Sequence, residues 1–135
     1  MRPTAALLAD AARVENGKLY VHGGAWDTIA VDAFPATHPT MALVLVYRVE
    51  YSEALTDWPI VVELLDEDDR PVGPRLDGTI NAGHPPGTIR GSPVFIPQSI
   101  TMNLLPFEKG GGYRFRVSSG DSELASVPFR VTSQR

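Results

Sequence analysis

Residues 112–131 read GYRFRVSSGDSELASVPFRV, and no other stretch restricts the fold as tightly. Tyr113, Phe115 and Val117 alternate with Arg114, Arg116 and Ser118. After Ser119, Gly120, Asp121 and Ser122 the alternation resumes with Ala125, Val127, Phe129 and Val131. A period of two on both sides of a turn-forming cluster specifies a β-hairpin with one buried face. Register matters here, because a slip of one residue would turn an entire apolar set towards water. A two-residue loop at Gly120 and Asp121 would set Phe115 opposite Ser126 and mix the faces, whereas an odd loop sets Phe115 opposite Val127 or Phe129. The pattern therefore predicts a longer, bulged loop with Gly120 at positive φ. Pro128 offers no N–H in mid-strand, which predicts that the last strand is an edge. Arg114, Arg116 and Arg130 fall on the outer face, where keeping an exposed surface soluble is their simplest role.

The remainder of the chain reads as more strands of the same kind. Asn16 and Gly17 between Glu15 and Lys18 form a type I′ hairpin signal, pairing Val14 with Leu19 and Ala12 with Val21, with strands over 7–14 and 18–22. Residues 28–31 offer a short third strand. The segment 33–40 (AFPATHPT) reads as a loop, since two prolines and the residues before them resist helix. Residues 41–49 (MALVLVYRV) are apolar almost without pause and predict a central strand covered on both faces. Ile60, Val62 and Leu64 alternate with Glu63. An acidic turn at Asp66, Glu67, Asp68 and Asp69 then leads into strands at 70–72 and 75–81. Residues 83–93 (GHPPGTIRGSP) are the most loop-like in the chain. Ile96, Ile100, Met102 and Leu104 mark the buried side of a long half-buried strand.

Twelve Gly and twelve Pro spread over 135 residues favour short strands joined by turns over long helices. The expected architecture is one domain spanning 1–135, an antiparallel β-sandwich of eight or nine strands, with a small closed β-barrel as the alternative. A formal net charge of -4 without any basic run argues against a nucleic-acid partner. No stretch approaches the roughly 20 apolar residues of a membrane helix, and the opening apolar run stops at Asp10, too early for a signal-peptide core. A cytoplasmic location is the resulting expectation. The absence of cysteine excludes disulfides, thiol chemistry and Cys-ligated zinc.

With the strands laid out, the chain resembles a family of short, uncharacterised bacterial proteins, mostly actinobacterial, grouped as a domain of unknown function. The resemblance rests on Leu7-Leu8-Ala9-Asp10-Ala11-Ala12-Arg13-Val14 running into Asn16-Gly17-Lys18-Leu19, and on Gly23-Gly24-Ala25-Trp26. It is completed by Gly112-Tyr113-Arg114-Phe115 with Pro128-Phe129-Arg130-Val131. It implies an all-β domain in a cytoplasmic bacterial setting, and no assigned activity.

No constellation in the sequence selects a catalyst. No serine sits in a Gly-x-Ser-x-Gly elbow, and Gly110-Gly111-Gly112 lacks the Lys-Ser/Thr of a phosphate loop. His22, His38 and His84 share no metal-ligand spacing, and the last two precede prolines as solvent-facing turn residues would. The turn from Asp66 to Asp69 could contribute to a Ca²⁺ site, although one loop supplies few ligands and a solvated turn is the simpler reading. No cofactor is implied. Trp26 and Trp58 lie beside predicted connections, where they either cap the core or stack on a sugar ring. Arg90, close to His84 in the 83–93 loop, could bind an anion. The expectation is a non-enzymatic interaction or accessory module that self-associates through an edge such as the one at Pro128. The alternative is a small-ligand or carbohydrate-binding module using Trp26, Trp58 and the 83–93 loop.

Overall fold

The structure is a computed structural model and describes residues 1–134. Nine strands are formed: β1 (Arg2–Glu15), β2 (Lys18–Gly24), β3 (Thr28–Val31), β4 (Ala36–Val49), β5 (Trp58–Leu65), β6 (Pro71–Ile80), β7 (Val94–Phe107), β8 (Gly111–Ser119) and β9 (Ser122–Ser133). The only helical element among the described residues is a 3₁₀ turn at Tyr51–Glu53. The strands make two sheets, one in the order β2-β1-β4-β7 and the other β3-β9-β8-β5-β6. Both sheets have free edges, so the architecture is a sandwich and the barrel alternative falls away. One pair departs from the antiparallel expectation, since β3 runs parallel to β9 from Thr28↔Arg130 to Val31↔Ser133.

The period-two pattern decides which side chains meet between the sheets. Met41, Leu43, Leu45, Tyr47 and Val49 from β4 face Ile60, Val62 and Leu64 from β5 and Phe115, Val117, Phe129 and Val131 from β8 and β9. All are buried. Burial pushes the Tyr47 hydroxyl far above its ordinary pKa, and that hydroxyl donates to Gln98 Oε1 at 2.8 Å. The other face of β4 is covered as expected, but by the chain's own first hairpin. Beyond Ala9↔Ala42, β1 no longer pairs with β4. There the β1–β2 arm leans over the sheet, so that Ala12 and Leu19 pack on Ala9, Ala42 and Val44. The hairpin itself has the expected register, with Val14↔Leu19 and Ala12↔Val21, and its turn residues Asn16 and Gly17 lie at φ 50 and 72.

Several details correct the sequence reading. The β8–β9 hairpin does place Phe115 opposite Val127, and Gly120 does lie at φ 58, but the odd residue is not in the loop. A two-residue turn at Gly120 and Asp121 closes Ser119↔Ser122. Leu124 is the extra residue, bulged between Glu123 and Ala125. The short turn keeps the twist of the strands and the bulge restores the faces. Secondly, β9 is an edge only in its first part: β3 covers it from Arg130 onward, while residues 122–129, Pro128 among them, have no strand on that side. The Arg130 N–H donates to Asp27 O at 2.8 Å on the β3 side. By alternation the nitrogen of Pro128 points the same way, just beyond the end of β3, so the proline costs the β8 ladder nothing.

Thirdly, 33–40 is not a loop throughout. After a turn containing the cis Phe34–Pro35 bond, β4 starts at Ala36 and carries Pro39. His38↔Leu105 and Thr40↔Asn103 flank the position where Pro39 would face Leu104. Pro39 has no N–H to give, and Leu104 takes φ 55. That conformation reverses the facing of β7: Leu105 is buried and Leu104, expected on the core side, is 70% exposed. The predicted strands at 70–72 and 75–81 are one strand, β6.

Candidate functional site

The free edges differ in how they are protected. β2 has seven residues and starts with Lys18, and β3 has four. β6 carries Pro71, Pro74, Arg75 and Asp77. Charge, proline and shortness are the usual devices that keep an edge from pairing with another chain. β7 shares the prolines, at Pro97 and Pro106, but is long, and its fourteen residues, VFIPQSITMNLLPF, include no charged side chain. Its β4 ladder passes through Val46↔Pro97 without a register shift, so the Pro97 nitrogen faces the open side. Alternation places the N–H and C=O of Ser99, Thr101 and Asn103, and of Phe95 before the proline, along that side. Phe95 is 56% exposed, with the Arg48 guanidinium 5.9 Å from its ring centre. No described strand pairs with this edge. It was missed in the sequence, although a run of fourteen residues without charge was the available signal.

The residues singled out from sequence fall at two ends of the sandwich. At one, the 3₁₀ turn is closed by reciprocal contacts between Glu50 and Glu53. The Trp58 indole N–H donates to Glu53 O at 3.3 Å. His84 is no free turn residue: its ring stacks on Tyr51 at 4.0 Å and 7°, and Nε2 lies 3.0 Å from Tyr51 O. A carbonyl only accepts, so Nε2 carries the proton. Gly83 N–H donates to Ala54 O at 2.7 Å, tying this loop to the turn. The terminal amine pairs with the Glu53 carboxylate, and that hydrogen bond, followed by the one from the Glu50 backbone, holds Glu53 below the usual carboxylate range. Arg90 stands farther out in the loop, exposed beside Ile89, and no ion pair engages it among the described residues.

Trp26 is at the other end, edge-on to His38, which lies in β4 and not in a turn. Val49, which adjoins the turn at Tyr51, lies eleven residue steps along β4 from His38; at ~3.3 Å per step the two ends are about 35 Å apart. Trp26 and Trp58 therefore share no surface, and each packs against the main core.

The acidic turn is occupied by partners within the chain. Asp66 Oδ1 accepts from the N–H groups of Asp68 and Arg70, both at 2.9 Å. These bonds, the Arg70 one foremost, hold its carboxyl low. Glu67 Oε1 accepts from Gly112 N at 2.6 Å. Asp69 meets Arg114 Nε at 3.1 Å, and Arg114 also binds Glu123 at 2.8 Å and Ser126 at 3.1 Å. The turn clamps β8 in place, and Pro128 lines a shallow groove of about 430 Å³ beside it, with Asp27 and Arg130. Among the described residues no group of three or more His, Cys, Asp or Glu side chains is placed to hold a metal ion. No helix among them is long and apolar enough to cross a membrane.

No curated protein matches the chain. The family of unknown function DUF6941 matches residues 4–132, which takes in every strand described above apart from the outermost residues of β1 and β9. The chain belongs to this family.

Proposed function

We propose that the protein is a non-enzymatic interaction module of the bacterial cytoplasm that self-associates through the open edge of β7. The observation that carries this reading is the fourteen-residue edge strand, uncharged and interrupted on its open side by Pro97 alone, beside edges that are short or carry charge. An uncharged strand meets its own copy without like-charge repulsion, even in a molecule of net charge -4. Antiparallel addition of β7 to β7 of a second copy would join two four-stranded sheets into one of eight, with Ser99, Thr101 and Asn103 supplying the new backbone bonds.

Thr101→Pro tests this directly. Its N–H faces the open side, as the Pro97 nitrogen does, so the substitution removes a donor from the edge and none from the β4 ladder. Light scattering after gel filtration should show a dimer for the wild type and a monomer for Thr101→Pro, with unchanged circular dichroism. A wild type that stays monomeric at about 1 mM, where an interface worth about 4 kcal/mol is half formed, rules the reading out.

A further inference from the structure

A second feature lies around Trp26, at the end of the sandwich where β1, β3 and β4 contribute side chains to one surface. Asp10 from β1, His38 from β4 and Thr28, Ile29 and Ala30 from β3 line an open cleft of about 190 Å³ beside the indole. The Trp26 Nε1–H is buried and is the single closed-off side-chain donor or acceptor without a partner among the described residues. A buried indole N–H normally finds an acceptor, and leaving one unmade costs about 1–3 kcal/mol. Around it are two more groups engaged by no hydrogen bond among the described residues, the Asp10 carboxylate and the His38 ring. The backbone is built to hold Asp10 there: Gly23, at φ 59, lies so close that a Cβ would stand 2.3 Å from Asp10 Oδ2. Ala25 follows at φ 66, its N–H donating to Leu8 O at 2.8 Å, and this bend delivers Trp26 to the cleft.

The chemistry of the lining narrows the ligand. Asp10 repels an anion, and the indole N–H has no lone pair to offer a cation. What satisfies both is a neutral molecule with adjacent groups that donate and accept, and hydroxyls do each. The size admits about six waters at about 30 Å³ apiece, which is a short polyol or one sugar ring. Ile29 and Ala30 supply an apolar wall for its C–H face. We propose that this cleft binds a single sugar ring, one hydroxyl donating to Asp10 and a neighbouring oxygen accepting from Trp26 Nε1–H. The Trp26 Nε1–H is closed off in this structure, so binding requires a neighbouring group to shift. The candidate is the His38 ring, which packs edge-on to the indole with centroids 6.3 Å apart and is held by no hydrogen bond among the described residues.

The test uses nitrogen-15 correlation spectra of the full chain, in which Trp26 and Trp58 give two indole signals, assigned with Trp26→Phe. Common aldohexoses and N-acetylhexosamines are titrated to about 100 mM, well above the millimolar Kd suited to so small a ligand. The Trp26 signal should move saturably for at least one sugar while the Trp58 signal stays put. Asp10→Asn, at an exposed position that leaves the fold intact, should weaken that binding about tenfold, the loss of one charge-assisted hydrogen bond. Gly23→Ala, which displaces the Asp10 side chain, should do the same. A Trp26 signal that no sugar moves overturns the proposal, as does an affinity indifferent to Asp10→Asn.

Discussion

The backbone of Leu104 lies at φ 55, a conformation that costs a residue with a Cβ about 1–2 kcal/mol. Its side chain recovers little of this, being 70% exposed. The cause is across the ladder at Pro39, which cannot donate, so that the pair between His38↔Leu105 and Thr40↔Asn103 is skipped. The consequence is that Leu105 and Phe107 reach the core. Leu104→Gly should therefore stabilise the protein by about 0.5 kcal/mol, the relieved strain outweighing the extra freedom of glycine in the unfolded chain. Urea unfolding monitored by circular dichroism measures this, and a loss of 1 kcal/mol or more would show that the Leu104 side chain packs on something after all.

Where strands carry charge, they carry it across the ladder. Glu63 on β5 stands opposite Arg116 of β8 and Arg75 of β6, and Arg116 approaches it to 2.8 Å. The Arg116 hydrogen bond, with the charges of Arg116 and Arg75, holds the Glu63 carboxyl below its ordinary value. A carboxyl depressed in the folded state contributes stability that is complete above its unfolded pKa of about 4.3 and disappears as pH falls through the folded value. The wild-type melting temperature should thus drop between about pH 5 and pH 3, and Glu63→Gln should remove part of that drop while leaving the part due to Asp66 and Glu53. An unchanged pH profile would show that the pair is screened by water. Elements of this kind were legible where both strands and their turn are consecutive: Asn16 and Gly17 set one register, and Phe115 against Val127 set another. The bulge at Leu124 was not, because a residue added in the turn and one added in the strand leave the same alternation.

At the scale of the molecule, the local pattern says which face of a strand is buried but not which strand lies beside it. The sandwich followed from nine amphipathic or apolar runs, and the main core at Leu43, Val62, Phe115 and Phe129 is the one their period predicts. The parallel β3–β9 pair depends on a contact between residues about a hundred positions apart, and it is this contact that covers the end of β9 and leaves only its first part, around Pro128, as an edge. The same limit hid both sites, since Asp10, Trp26 and His38 meet only through the fold and β7 becomes an edge only through strand order. Edge pairing also links stability to concentration. Unfolding that begins from a dimer must also separate the two copies, so each tenfold increase in protein should raise the melting temperature, by RT ln 10 or about 1.4 kcal/mol of apparent stability per mole of dimer. For a domain of this size that amounts to a few degrees. Scans across a hundredfold range of concentration should show the rise for the wild type and a flat line for Thr101→Pro. A rise equally large in both proteins would place the association on some surface other than β7.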